Sequence, residues 1–312
     1  MTRVGTGIGV GIRIGSRGSQ LALWQAHHVA DLLRGQGHAV EIEVIKTTGD
    51  RLQEVTFAQV GTKGMFTLEI EEALAAGRID LAVHSLKDLP TELPAGFCLA
   101  ATPARADARD VFVSREYVGL HALPAGARVG TSSLRRRALL RYRRPDLECV
   151  EFRGNVDTRL RKLDEGLADA ILLAGAGLDR LEKTEWVRER MAVEVMCPAP
   201  GQGALGIESR AGDARILEAV AFLDDATTRF CVTAERAALG ALGGGCQVPI
   251  GVHCRPVSGD GYEILGVVAD PDGSRVLSGR VVGIEAEALG RAVAADLIEQ
   301  GAGELFQGIG TH

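Results

Sequence analysis

The chain has 312 residues, 46 % hydrophobic content and a net charge of −6, so it is long enough for two or three globular domains with substantial cores. Its six cysteines are scattered without a Cys-x-x-Cys pair, which argues against a zinc site and a secreted disulfide framework and favours reduced thiols in the cytoplasm. No apolar run approaches the roughly 20 residues that span a bilayer. Because glycines also interrupt residues 1–11, we expect neither a signal peptide nor a membrane partner.

In the first half of the chain, predicted strands alternate with predicted helices, a pattern typical of largely parallel sheets. Strands are predicted at residues 10–14, 40–45 and 79–83, with one helix capped by Ser19 and a second at residues 66–76. The polar, glycine-containing segment 46–64 separates these elements and is interpreted as a lid.

The same pattern returns further along the chain. Val129-Gly130-Thr131 repeats Ile14-Gly15-Ser16, each ahead of a predicted helix, and an LxxGxxD pattern occurs at residues 74–80 and again at 163–169. We therefore expect two similar α/β domains in tandem. The second copy is strongly basic, with eleven basic residues against four acidic ones between Arg128 and Lys162.

After residue 200 the pattern changes to a small α+β domain, with strands near 250–254, 263–269 and 274–282 and a closing helix at 285–298. It contains Cys246, which lies between three glycines and Pro249. Glycines permit positive φ and proline fixes φ, so the thiol is expected on a tight loop. Two interpretations remain open for it, a small buried cysteine in a turn and a thiol presented to a ligand.

Polar residues follow the predicted strands at the edge where doubly wound sheets bind ligands. They are Arg17 and Ser19, Lys87 and Asp88, Ser132, Arg135 and Arg136, and Arg153 and Arg159. A helix that begins with three arginines is unfavourable unless an anion lies beside them, because the helix N-terminus is already positive. Several guanidinium groups suit a ligand with several carboxylates or phosphates.

Other interpretations of single residues are kept beside these. Asp88 is either a neutraliser of the arginines or a catalyst, and His84 is interpreted as a hydrogen-bonded core residue. Arg141, Arg143 and Arg144, late in the basic helix, are expected to form a solvated face. Nucleic acid is disfavoured as a partner because the chain is acidic overall and only 4 % aromatic.

Five motifs, in the same order along the chain, resemble the hydroxymethylbilane synthases, also called porphobilinogen deaminases. They are Ala82-Val-His-Ser-Leu-Lys-Asp-Leu-Pro90, Val129-Gly-Thr-Ser-Ser-Leu-Arg-Arg136, Arg153-Gly-Asn-Val-Asp-Thr-Arg159, Pro200-Gly-Gln-Gly-Ala-Leu205 and Gly244-Gly-Cys-Gln-Val-Pro-Ile-Gly251. The resemblance implies two tandem type II periplasmic-binding-protein-like α/β domains and a small C-terminal α+β domain. The implied boundaries are residues 1–103 with 204–221, residues 109–197, and residues 226–312.

The resemblance also implies an activity: head-to-tail polymerisation of four porphobilinogen molecules with loss of ammonia, followed by hydrolytic release of the linear tetrapyrrole. Cys246 matches the residue that carries a dipyrromethane cofactor through a thioether, and Asp88 matches the catalytic carboxylate. The positions matching those that hold acetate and propionate groups are Arg17, Ser19, Lys87, Ser132, Arg135, Arg136, Arg153, Arg159 and Arg180, with Lys63 in the lid. A cytoplasmic monomer without metal is expected.

Two departures and two alternatives limit this interpretation. Gln59 stands where some relatives have lysine, and Thr62-Lys63-Gly64-Met65 replaces a more usual Gly-Lys-Gly-Leu, so lid contacts are the weakest part of the resemblance. A carboxylate-binding solute-binding protein would also use two tandem α/β domains and an arginine-lined cleft. A cysteine hydrolase is a third alternative, but the sequence offers no convincing histidine partner placed near the thiol.

Overall fold

A computed structural model of the chain describes residues 11–47, 67–243 and 248–306. The described strands and helices are β1 (Gly11–Ser16), α1 (Gln20–Gly35), β2 (Ala39–Val44), α2 (Leu68–Ala75), β3 (Leu81–Ser85), β4 (Phe97–Ala101), β5 (Asp110–Val113), β6 (Arg128–Gly130), α3 (Leu134–Arg143), β7 (Glu148–Val150), α4 (Val156–Asp164), β8 (Ala170–Ala174), α5 (Gly175–Arg180), β9 (Val187–Arg190), β10 (Leu205–Arg210), α6 (Ala214–Val220), α7 (Ala226–Ala241), β11 (Ile250–Pro256), β12 (Tyr262–Ala269), β13 (Val276–Gly283), α8 (Ala286–Glu299) and α9 (Ala302–Phe306). Cys246, Lys63 and most of the predicted lid lie outside the described residues.

The strands form three sheets with the orders β2-β1-β3-β10-β4, β7-β6-β8-β5-β9 and β11-β12-β13. The first two sheets have the same plan, in which three parallel strands are followed by a strand that runs antiparallel to its neighbours. This confirms the predicted fold class in its architecture, two tandem α/β domains of the same plan with a small C-terminal α+β domain.

The chain divides into two compact units, one formed by residues up to Ala104 with Leu205–Asp225, the other by Arg105–Ala204 with the chain from Ala226 onward. The second α/β sheet and the C-terminal sheet therefore belong to one unit. Within it, Leu265 and Val267 of β12 pack in the same core cluster as Leu139 and Leu140 of α3. The finer division into three domains, at the boundaries given above, stays a prediction.

The LxxGxxD repeat has a structural cause that is the same in both α/β domains. The glycine follows a helix with positive φ, +67° at Gly77 and +73° at Gly166, a conformation that side chains rarely adopt. The aspartate accepts a backbone N–H of the neighbouring parallel strand, from Arg13 N to Asp80 at 2.8 Å and from Arg128 N to Asp169 at 2.6 Å. The motif thus ends a helix and fixes the register of the next strand.

Behind β3, the core of the first unit contains ionisable side chains. His84 Nε2 lies 3.0 Å from Oε2 of the fully buried Glu208, which confirms the prediction of a hydrogen-bonded core histidine. Glu71 of α2 is also buried. Burial raises the pKa of Glu71 above its usual value and the nearby Glu208 carboxylate adds to the rise, while Thr67 and His84 oppose it.

Replacing Glu71 with glutamine is expected to alter how stability depends on pH. Because the folded protein holds the Glu71 proton more tightly than the unfolded chain does, wild-type stability falls as pH rises from the ordinary glutamate range, about 4.3, through the raised pKa. Glutamine does not titrate, so the free energy of unfolding of Glu71→Gln, relative to that of the wild type, should increase as pH rises across this window. Urea denaturation from pH 4 to 7 measures the difference. The exposed neighbour Glu72→Gln is the control, and equal pH slopes for Glu71→Gln and wild type would contradict the expectation.

Candidate active site

In the first unit, the carboxylate of Asp88 lies on a short 3₁₀ turn, Leu86–Asp88, that directly follows β3. Asp88 is exposed, but the leucines on either side of the turn, Leu86 and Leu89, are buried, and Leu89 N donates to Leu86 O at 3.1 Å. Both leucines pack over Gly206 of β10, where a Cβ atom would lie 2.8 Å from Leu86 and 3.0 Å from Leu89. The apolar anchors therefore hold an exposed carboxylate on a fixed turn.

The other residues predicted in this unit lie at the ends of the same parallel strands. Ser19 is the N-cap of α1, where its side chain accepts from Ala22 N at 3.3 Å, as the sequence predicted. Arg17, just after β1, and Lys87 are half-buried. Their contacts with a ligand stay predictions.

In the second unit, the first turn of α3 buries two guanidinium groups against one carboxylate. Arg135 and Arg136 are each 5 % exposed, and each donates to a different oxygen of the fully buried Asp110 at 2.7 Å. Arg135 also donates to Cys197 O, and Arg136 to Leu172 O at 3.1 Å. Burial of an arginine next to a helix N-terminus requires a counter-charge, and the chain itself supplies the first one.

Asp110 holds a proton less readily than an ordinary aspartate because the ion pairs with Arg135 and Arg136 outweigh its burial, which acts in the opposite direction. The pKa of the Asp110 carboxyl is accordingly far below its usual range. This residue did not emerge from the sequence, since its partners lie 25 and 26 positions away and nothing local marks the contact.

Asp110 supplies one negative charge against the two positive charges of Arg135 and Arg136, and some buried arginine nitrogens have no hydrogen-bond partner among the described residues. The buried Nε atoms of Arg136 and Arg159 have no hydrogen-bond partner among the described residues. Burial and the positive charge of Arg136 lower the pKa of Arg159 to about 10, with Arg153 adding to the effect and Glu151 opposing it. A ligand carboxylate placed here would relieve both the missing hydrogen bonds and the repulsion.

The remaining predicted residues of this unit have partners within the fold. Arg153 Nε donates to Glu151 at 2.7 Å, and Arg180 donates to Gly203 O at 2.8 Å, with its pKa lowered to about 10 by burial. Ser132 Oγ accepts from Phe152 N at 3.2 Å, and the next residue, Ser133, is the N-cap of α3. Ser132 retains a hydroxyl hydrogen that it can donate to an anion.

One expectation for the basic island needs correction. Arg143 is exposed, as expected, but Arg141 and Arg144 are half-buried, so the three do not form one solvated face. All three donate to backbone carbonyls: Arg141 to Pro271, Arg143 to Val195 and Glu194, and Arg144 to Leu120 and Leu123. The helix that carries them is short, and its last turn packs against neighbouring loops. These arginines therefore fasten loops to α3.

The described residues also bear on other classes of site. Within residues 11–47, 67–243 and 248–306, no three His, Cys, Asp or Glu side chains come together as metal ligands. None of the described helices combines the length and apolar character that crossing a bilayer requires. The five described cysteines, Cys98, Cys149, Cys197, Cys231 and Cys254, are free thiols.

The solved structures that match the chain do so at low sequence identity. The methionine-binding protein MetQ has 14 % identity and a TM-score of 0.44, covering 67 % of this chain and 87 % of its own. A periplasmic substrate-binding protein of an ABC transporter from Coxiella burnetii has 16 % identity and a TM-score of 0.41, covering 70 % of this chain and 94 % of its own. Similarity at this level does not bear on function.

Curated relatives are much closer and share one name. The chain is 51 % identical over 298 residues to the porphobilinogen deaminase of Burkholderia thailandensis, 50 % over 302 residues to that of Nitratidesulfovibrio vulgaris and 52 % over 298 residues to that of Desulforudis audaxviator. These alignments cover 93 %, 94 % and 94 % of this chain and 90 %, 95 % and 96 % of the relatives. The solute-binding alternative is therefore not favoured.

Two family models match nearly the whole chain. The model described as porphobilinogen deaminase, dipyromethane cofactor binding domain, matches residues 12–218, and the porphobilinogen deaminase C-terminal domain matches residues 229–299. The resemblance stated from the five motifs is thereby confirmed. The chain belongs to the porphobilinogen deaminase family, the transferases that join porphobilinogen units into a linear tetrapyrrole on a dipyrromethane cofactor.

Proposed function

We propose that the enzyme carries its dipyrromethane cofactor on Cys246 through a thioether, uses Asp88 as the catalytic carboxylate, and holds acetate and propionate groups with the arginines of the second α/β domain. The overall reaction is that of hydroxymethylbilane synthase, in which four porphobilinogen units are joined with loss of ammonia and the product is released by hydrolysis. The assignment of the arginines is carried by one observation: buried nitrogens of Arg136 and Arg159 lack hydrogen-bond partners among the described residues.

The chemistry of the donor set fits the cofactor. Dipyrromethane is built from two porphobilinogen units, so it brings several carboxylates, and when bound it supplies the pyrrole to which the first substrate is joined. Guanidinium groups form bidentate, charge-assisted hydrogen bonds with carboxylates. The second unit offers Arg136 and Arg159 for this purpose, and we assign Arg153, Arg180 and the hydroxyl of Ser132 as further donors. We assign the equivalent contacts in the first unit to Arg17, Ser19 and Lys87, and in the lid to Lys63.

Asp88 has the properties that the bond-forming step requires. Loss of ammonia from porphobilinogen leaves positive charge on the substrate, and a fixed carboxylate stabilises such charge as it develops. The same group accepts and returns the protons of the amine and the pyrrole N–H. The turn anchored by Leu86 and Leu89 fixes the backbone position from which this exposed carboxylate acts, which limits the reorganisation needed during each addition.

Partners and location belong to the same proposal. A cytoplasmic monomer is proposed, with porphobilinogen as its small-molecule partner and no role for nucleic acid, membrane or metal. The backbone contacts of Arg141, Arg143 and Arg144 support the exclusion of nucleic acid, because these arginines are engaged within the fold.

Arg159→Leu is expected to weaken retention of the acidic side chains while leaving the fold intact. Loss of one charge-assisted interaction, about 1.5 to 3 kcal/mol, corresponds to about a 10- to 100-fold fall in kcat/KM for porphobilinogen. Steady-state kinetics and intact-protein mass measure turnover and cofactor loading. Arg161→Leu is the control, because Arg161 lies two residues on in α4, is 62 % exposed and pairs with Glu165. Equal kcat/KM values and equal cofactor loading in Arg159→Leu and Arg161→Leu would contradict the proposal that Arg159 binds carboxylates.

A further inference from the structure

The Pro200-Gly-Gln-Gly motif contains a buried side chain to which the proposed mechanism gives no role. Gln202 is 1 % exposed, and its Nε2 atom donates two hydrogen bonds, to Ala108 O at 2.7 Å and to Asp110 Oδ1 at 2.8 Å. Its Oε1 atom is buried without a hydrogen-bond partner among the described residues. The amide therefore acts through its two donors.

These donors match the acceptors that they meet. The carbonyl of Ala108 and the carboxylate of Asp110 are separated by one residue in the segment entering β5, and a primary amide presents two N–H groups from a single nitrogen. Gly203 brings the motif close to this segment, since it has φ +87° and a Cβ atom there would lie 2.6 Å from Ala106 O. The glycine turn and the glutamine together fix where the Asp110 carboxylate points.

Asp110 in turn fixes the arginine pair. Its Oδ1 atom accepts from both Gln202 and Arg136, while Oδ2 accepts from Arg135. One carboxylate facing two buried guanidinium groups leaves a net positive charge that favours an external anion. Because each Asp110 oxygen accepts from one guanidinium, the orientation of the carboxylate also sets which of the remaining guanidinium N–H groups can donate to that anion. Without the amide, Asp110 Oδ1 loses one of its donors and Ala108 O loses its bond to Nε2.

We propose that Gln202 is a positioning residue for the deaminase reaction: it holds the Asp110 carboxylate in the orientation that sets Arg135 and Arg136 for the acidic side chains of substrate and cofactor. This rests on the proposed function of the arginines. It gives the Pro200-Gly-Gln-Gly motif a role in ligand binding that is exerted entirely from within the buried interior.

Gln202→Met tests the proposal, because methionine has similar length and no donors. The KM for porphobilinogen should rise about tenfold with kcat changed by no more than about twofold, since the loss acts on binding. Gln300→Met is a matched control, because Gln300 Nε2 also donates to one carbonyl, Ser278 O, and one carboxylate, Asp296. Ser278 belongs to β13 of the C-terminal sheet, and neither acceptor is a partner of Arg135 or Arg136. An unchanged KM for folded Gln202→Met would overturn the inference, even if its melting temperature falls.

A second variant serves if Gln202→Met does not fold. In Gln202→Glu the protonated acid can still donate to Asp110, whereas the ionised acid repels it, so KM should rise with pH in this variant more steeply than in wild type. Parallel pH profiles would overturn the inference. Arg136→Lys, measured alongside, separates the two proposals: an unchanged KM there refutes the arginine assignment, while a raised KM there with a normal KM in the Gln202 variants refutes only the role of Gln202.

Discussion

Asp88→Asn is expected to leave the protein folded and its cofactor attached but to lower turnover by about 100-fold or more, as removal of a group that stabilises developing charge does elsewhere. Asparagine keeps the shape of the side chain and loses the negative charge. Because Asp88 is exposed and its turn is held by Leu86 and Leu89, the substitution should cost little stability. The rate of ammonia release and intact-protein mass, read on the same sample, distinguish slow chemistry from a missing cofactor.

Glu92→Gln is the control for this experiment, since Glu92 is an exposed carboxylate only four residues away. Its rate should equal that of the wild type. A near wild-type rate for Asp88→Asn would remove Asp88 from the catalytic role and favour the alternative in which it only neutralises nearby positive charge. A slow Asp88→Asn enzyme that also lacks the cofactor would assign Asp88 to cofactor assembly instead.

The fold was largely predictable from the sequence because its signals are local. Gly77 and Asp80 lie three residues apart and repeat as Gly166 and Asp169, so one short pattern announces both the end of a helix and the start of a strand pairing. Ser19 likewise caps a helix that begins at the next residue. Such signals depend on backbone conformation within a few residues, and sequence patterns record them directly.

The partners of the arginines were not predictable in the same way. The sequence predicted a ligand anion beside Arg135 and Arg136, whereas the anion that the structure places there is Asp110, which precedes them by 25 and 26 residues. Gln202, a further donor to Asp110, follows it by 92 residues. Burial makes these contacts strong, and sequence distance makes them invisible to local patterns. We therefore expect ligand carboxylates to bind mainly at the buried nitrogens that have no hydrogen-bond partner among the described residues, Arg136 Nε and Arg159 Nε.

Replacing the proposed cofactor attachment residue, Cys246, is expected to abolish both cofactor attachment and turnover. Wild-type protein should exceed its sequence mass by two pyrrole units, whereas Cys246→Ala should have the bare sequence mass and no measurable turnover. The segments on either side of the cysteine are anchored in the C-terminal domain, with Leu242 in its core and Val248 packed against it, so replacing the thiol should not unfold this domain. Mass spectrometry of the intact and the proteolysed protein locates the added mass.

Cys98→Ala is the matched control, because Cys98 is a half-buried free thiol whose loss should change neither the added mass nor the rate. Active wild-type protein without added mass, or Cys246→Ala protein that retains it, would refute the attachment. The experiment also separates a permanent anchor from the catalytic nucleophile that the cysteine-hydrolase alternative would require. An anchor keeps its two pyrrole units after the product has been released, while a nucleophile returns to the bare thiol at the end of each cycle.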